Sequence, residues 1–227
     1  MLLRFLVLIF LLAAWPVSAQ DMARVKQTVT DLASPEMHGR GYVKDGDKKA
    51  AEYIRSRFEA LKIQPLGADY FQKFSLGVNT ITDDPELKAG SEKLQPGTGF
   101  VARSTSGKGE GKARTVYFDT LVFRNESAGR QFLQQPLRKK AVVIRQADYD
   151  KLVTLPDEFK KHIQQAKALV ILQKRLLTTV GRRQDPMPVL EVLETAWPAN
   201  TKKVKFEVEA DFKPDYQTQN VTGFIKG

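Results

Sequence analysis

The sequence predicts an α+β protein in which helices come first and strands dominate afterwards. Three patterns lead there. Apolar residues recur at three- and four-residue spacing in two early segments, short and strongly apolar runs follow from about residue 116, and a clean alternation covers Lys203 to Phe212. With 227 residues, 42% of them hydrophobic, the chain is long enough for one large domain or two modest ones. A core of that size needs no disulfide or metal staple.

Met1 to Ala19 reads as a secretory signal. Arg4 lies in a short start, Phe5 to Ala14 is uninterrupted apolar sequence, and Val17-Ser18-Ala19 supplies small residues for cleavage. The run is too short for a spanning helix, which needs about 20 residues, and Trp15-Pro16 breaks it. An uncleaved N-terminal anchor is the alternative. No cysteine follows the run, so no lipid anchor is expected, and the mature protein should be periplasmic or extracellular with no stable membrane anchor.

Met22 to Ala33 places Met22, Val25, Val29 and Leu32 on one helical stripe. Ser34-Pro35 reads as a second N-cap with proline at the first helical position. The next helix should run from about Lys48 to Lys62, capped by Asp45 or Asp47, with Ala51, Ile54, Phe58 and Leu61 on its apolar face. Tyr70 to Val78 alternates as a strand. Thr82 to Gly111 is rich in Gly, Pro, Ser, Asp and Glu and suits long loops. Strands are then expected at Val116 to Phe123, Ala141 to Ile144, Ala168 to Leu172, Val189 to Leu193, Lys203 to Phe212 and Asn220 to Ile225, with a polar helix over Asp157 to Lys167.

The side-chain inventory excludes much chemistry. The chain has no cysteine, which removes thiolate nucleophiles, disulfides and cysteine zinc sites, and only two histidines, His38 and His162. Glu158 and His162 are four apart on the polar helix, yet one such pair offers at most two metal ligands where three or four are usual. An exposed i,i+4 pair is the better reading. His38 stands in a turn beside Gly39 with no visible partner for base catalysis, so a hydrogen-bonded structural histidine is expected. Ser106-Gly107-Lys108-Gly109-Glu110-Gly111-Lys112-Ala113 superficially resembles a phosphate loop, but Ala113 sits where Ser or Thr should meet magnesium, so a mobile hairpin or loop is expected. Asn125-Glu126-Ser127 and Asn220-Val221-Thr222 match the glycosylation pattern. No catalytic and no metal-binding residue emerges from the residues themselves, and substrate-binding residues stay unassigned.

The formal net charge is +10 and unevenly placed. Gln20 to Phe100 carries 12 basic and 12 acidic residues, whereas Val101 to Gly227 carries 23 against 14. The basic residues fall in scattered twos and threes without interleaved aromatics, so a solvated basic surface is expected and nucleic acid is not expected as a partner.

The order of segments adds a resemblance. Leu32-Ala33-Ser34-Pro35-Glu36-Met37-His38-Gly39-Arg40-Gly41, then Lys49 to Ile54, then Phe58 to Gly67, resembles the opening of exported zinc aminopeptidases. That metallopeptidase family contains bacterial leucyl aminopeptidases and relatives of glutamate carboxypeptidase II. Tyr70 to Leu76 is similar to the strand that follows there, and Thr218 to Gly227 to the strand before the first metal-binding segment. Lys139 to Arg145, Gln165 to Leu172 and Met187 to Val192 resemble strands and a helix of the protease-associated (PA) domain often inserted in the family, although Lys167 or Ala168 replaces its usual glycine.

The resemblance implies N-terminal helices and a strand from an incomplete α/β peptidase core, plus an inserted β-rich PA-like domain. The implied division is residues 1–19 as signal, 20–80 as the first core segment, 81–215 as the insert and 216–227 as the first returning core strand. The family's two zinc ions are held by histidines, aspartates and a glutamate, none of which maps onto a position here. The expectation is the N-terminal portion of an aminopeptidase with no cofactor of its own, inactive alone, whose partners are peptides or the missing C-terminal catalytic core. A free-standing secreted peptide- or protein-binding module is the alternative, and an adaptor for acidic polymers a third reading. In the first case the early helix and the two flanking strands need a larger sheet, and leave apolar side chains exposed without it.

Overall fold

A computed structural model describes residues 21–227. The predicted signal sequence, residues 1–19, lies outside them. Among the described residues no helix is long and apolar enough to cross a membrane. Contacts divide the chain into two units that meet in sequence at Arg57 and Phe58.

In the first unit, helix α1 (Met22–Leu32) is capped by Asp21, whose Oδ1 accepts from the amides of Ala23 and Arg24, each at 3.1 Å. The apolar stripe forms as its spacing predicts, yet α1 buries no residue, and Val29 is 62% exposed. Ser34 precedes a 3-10 segment, Pro35–Arg40, in which His38, Gly39 and Arg40 are all left-handed at φ 45, 67 and 58°. The Arg40 guanidinium donates to the Leu32 carbonyl. Helix α2 (Gly46–Ala60) buries Ala50 and Ala51, and its Tyr53 hydroxyl donates to Asp31 Oδ2 at 2.8 Å.

The second unit holds twelve strands. Strand β1 (Gln64–Pro65) and strand β2 (Phe71–Ile81) precede β3 (Glu86–Ala89), β4 (Glu92–Lys93) and β5 (Phe100–Ala102). These last three occupy the stretch expected as loops. Of its few apolar residues, Leu87, Ala89, Leu94 and Phe100 are buried and Val101 and Ala102 half-buried, so sparse apolar content does not mean absence of strand. Strand β6 (Gly109–Tyr117) ends before the predicted Phe123, because Asp119 caps a 3-10 turn at Thr120–Phe123 by accepting from the Leu121 amide at 2.8 Å.

Helix α3 (Glu126–Leu133), strand β7 (Lys140–Arg145), helix α4 (Gln146–Lys151), helix α5 (Asp157–Ile163), strand β8 (Ala168–Gln173) and strand β9 (Val189–Leu193) follow. Helix α5 stops four residues short of expectation, as the Lys167 amide donates to the Lys140 carbonyl at 2.8 Å and turns the chain into β8. Asn125 of the first glycosylation pattern caps α3, accepting from the Ser127 and Ala128 amides at 2.9 and 3.2 Å.

The alternation read as one strand from Lys203 to Phe212 is two. Strand β10 (Lys203–Val208) belongs to the large sheet, and β11 (Ala210–Val221) pairs antiparallel with β2 from Ala210↔Ile81 to Val221↔Phe71 as a separate ribbon. The two strands part at Glu209, whose carbonyl accepts from the Thr82 amide at 3.1 Å, where the chain changes sheets. Phe212 therefore leaves the face of Val204 and Phe206 and is partly exposed on the ribbon. The last predicted strand divides likewise, with β12 (Gly223–Phe224) pairing with β1.

The large sheet has the order β4-β3-β10-β6-β7-β8-β9-β5, parallel from β6 to β9 and antiparallel elsewhere. Flat, eight strands span about 34 Å, whereas the stretch from Lys93 to Phe100 that joins its two edges reaches about 25 Å when fully extended. The sheet must therefore curl, and Leu87 of β3 and Phe100 of β5, near opposite edges, share one core with Val143, Val170, Leu190 and Phe206. On the other face, helices α3 to α5 cover β7, β8 and β9 through Phe132, Tyr149, Phe159 and Ile163 against Val142, Ile144, Ile171 and Val189.

Asn79, 5% exposed, ties the end of β2 to this body. Its Nδ2 donates to the carbonyls of Ser104 and Ser106, each at 2.9 Å, and its Oδ1 accepts from Gln184 at 2.8 Å. Asn79→Ala strands these partners, and a loss of about 2 kcal/mol in urea unfolding is expected. An unchanged midpoint shows that water replaces the side chain.

Candidate functional site

The candidates singled out from the sequence do not assemble. His38 is exposed on the left-handed turn of the first unit. On α5, Glu158 is exposed, while the His162 ring lies half-buried and edge-on to Phe132, 5.4 Å between centroids. No ion pair joins Glu158 and His162 among the described residues, which corrects the exposed-pair reading: the imidazole packs inward against an aromatic. Among those residues no group of three or more His, Cys, Asp or Glu is placed to hold a metal ion. The chain's described residues therefore do not fit a dizinc centre, and no hydrolytic step is derived for them.

The phosphate-loop-like run begins as a loop, 106–108, but a pinned one, and continues as strand. Ser106 is fully buried, its Oγ accepting from the Val189 amide and donating to the Gly107 carbonyl, both at 2.9 Å, and Gly109 onward is β6. Gly111, at φ 128°, faces Phe206 across the ladder, and a Cβ there would run into the Lys167 ammonium.

Two concave surfaces stand out in the second unit. The first, of about 800 Å³, lies beyond the carboxyl ends of the parallel strands β7, β8 and β9, the usual place for ligands in such sheets. Arg145, Gln173, Lys174 and Arg175 come from the strand ends. Its floor holds Glu191, whose side chain is 9% exposed, with Oε1 3.1 Å from Arg103 Nε. Burial pushes the Glu191 carboxyl up from its ordinary value, while Arg103 and a hydrogen bond from Gln173 act in the opposite direction. The Arg103 guanidinium also lies 4.9 Å from the Tyr149 ring centroid.

The second, of about 970 Å³, opens where the helical layer stops. Its floor is the uncovered outer face of β3, β10 and β6, and its wall is the segment from Pro136 to Lys140 that follows α3. The charge excess of the second half is thus not wholly scattered: a large share of it gathers in this cleft.

Both surfaces escaped sequence reasoning, although each left a trace. Glu191 is a lone charge inside the apolar run Val189 to Leu193, which calls for a buried partner. Lys112-x-Arg114 and Lys203-x-Lys205 alternate with buried residues and so put their charges on one sheet face.

Comparison with known proteins bears on the fold. Neither the family models nor the curated proteins compared with the chain match it. Among solved structures, an aminopeptidase from Aneurinibacillus sp. strain AM-1 matches 88% of this chain and 46% of its own, at 18% identity and TM-score 0.49. BSAP, a zinc aminopeptidase from Bacillus subtilis, matches 77% of this chain and 40% of its own, at 15% identity and TM-score 0.50. The fold is shared with part of a zinc aminopeptidase. A peptidase M28 precursor from Shewanella amazonensis SB2B aligns more loosely, over 78% of this chain and 45% of its own, at 13% identity and TM-score 0.43. The chain thus spans less than half the length of the structures it matches.

Proposed function

We propose that this chain is the front, non-catalytic portion of an exported zinc-dependent aminopeptidase, with the metal ligands supplied by polypeptide that follows Gly227. The fold shared with part of the Bacillus subtilis zinc aminopeptidase carries the reading. Two further observations support it. The ribbon of β2 and β11 brings the chain back beside the point where it left, as a domain inserted between 81 and 215 in a larger core requires. Met22, Val29, Leu61, Phe224 and Ile225 also stay exposed in the segments flanking that insert, surfaces that a larger core would cover. The inserted body is read as PA-like, and export rests on the leader at residues 1–19.

A second reading, a free-standing secreted PA-like module that binds peptides or proteins, draws on the completeness of the two cores within the inserted body. Purified residues 20–227 discriminate between the two. The first reading expects no chelator-sensitive release of nitroaniline from leucine p-nitroanilide, less than stoichiometric zinc, and strong binding of an apolar dye. It also expects coding sequence downstream of Gly227, in some frame, for a histidine-x-aspartate segment. Stoichiometric zinc with chelator-sensitive hydrolysis overturns it, and so does a downstream sequence lacking such a segment in every frame.

A further inference from the structure

The outer face of β3, β10 and β6 carries its charges in rows, because residues opposite one another in a ladder point to the same side. In one row, β10 Lys203 pairs with β6 Arg114, which pairs in turn with β7 Lys140. In the next, β3 Lys88, β10 Lys205 and β6 Lys112 are in direct register. Arg138 and Lys139 stand on the wall above. Two residues further along the same strands the sign reverses: Glu86, Glu207 and Glu110 are in register. Neighbours within a row are about 4.8 Å apart and successive rows about 7 Å apart.

Like charges directly opposite each other destabilise a sheet, and here three stand abreast in each of two rows. No acidic residue lines the cleft, and none of these eight cations forms a salt bridge among the described residues. Lys93, at the sheet edge, is answered by Glu86 at 2.8 Å, whereas Lys205 feels the same carboxylate without forming a salt bridge to it. The field is short. The glutamate row closes it at one end, which repels a uniformly charged polymer that continues past two rows. No aromatic lines the cleft to stack bases, which disfavours single-stranded nucleic acid.

Side chains on one side of an extended peptide recur about every 7 Å, the spacing of the rows. We propose that this cleft binds an extended polypeptide segment carrying acidic side chains at two alternate positions and a basic side chain at the next. The acidic pair sits over the two cationic rows, and the basic residue just past the cleft over Glu207 and Glu110, since Glu86 already holds Lys93. This stands apart from the aminopeptidase reading, since it needs neither metal nor hydrolysis.

The test titrates residues 20–227 with a labelled peptide of that pattern, a scrambled peptide of equal composition, and an oligothymidylate of equal charge. The patterned peptide is expected to bind about tenfold tighter than the scrambled one and to weaken steadily with added salt. The pair Lys112→Glu and Lys205→Glu should weaken it by roughly a hundredfold, whereas Lys174→Glu and Arg175→Glu, the same charge change in the other cleft, should shift it by no more than about threefold. Should the reversed pair fail to fold, Lys112→Gln and Lys205→Gln serve. Their relief of like-charge contact predicts an equal or higher melting temperature in low salt, with binding about tenfold weaker. Equal binding of both peptides, tighter binding of the oligothymidylate, or equal losses from both reversed pairs overturns the proposal.

Discussion

Phe206→Ala is expected to lower the unfolding free energy by about 3 to 5 kcal/mol, the usual cost of emptying a buried phenylalanine site. Phe206 is 1% exposed on β10, and it packs in the core around which the sheet curls. Strands from both edges of the sheet meet there, so little can collapse into the void. Denaturant unfolding followed by tryptophan fluorescence measures the loss, and Phe206→Leu, which keeps most of the volume, should recover more than half of it. A loss under about 1 kcal/mol means that the core closes over the gap and that the curl is not held by this cluster.

Arg103→Ala should cost on the order of 3 kcal/mol at neutral pH, because it leaves the Glu191 carboxylate buried without its cation. The sign of the pH dependence follows from the direction of the shift. Glu191 titrates above its ordinary value in the folded chain, chiefly through burial, so the native state holds its proton more tightly than the unfolded one. Its contribution is intact at low pH and is lost as pH rises from the ordinary carboxylate value through the raised one. Without Arg103 the carboxyl moves further up, so the deficit widens towards neutral pH and shrinks on acidification. Adding Glu191→Gln to Arg103→Ala should restore most of the stability and flatten the profile. Equal deficits at both ends of the profile, or no recovery from the second substitution, would falsify this account.

Elements whose partners lie nearby in sequence, or whose pattern runs long, were legible from the residues. Met22–Leu32 stands where its periodicity puts it, and Val189–Leu193, short as it is, where its apolar run does. Thr82 to Gly111 was not legible, because its strands take two to four residues each and owe their existence to partners such as Val204 and Phe206, over a hundred positions away. The alternation through Glu209 continues unbroken while the chain changes sheets, since a period of two records which face is buried and not which neighbour buries it. The clefts were hidden for a related reason. Lys88, Lys112 and Lys205 look dispersed along the chain, and only the ladder sets them side by side.

Thr82 and Glu209 share a backbone hydrogen bond of 3.1 Å, so everything between them departs from and comes home to a single spot. Were 82–209 removed, Ile81 and Ala210 would be left to turn a hairpin between the two long strands. If the body is an insert, as proposed above, such an arrangement would let evolution vary, trade or discard it, clefts included, without rebuilding its host.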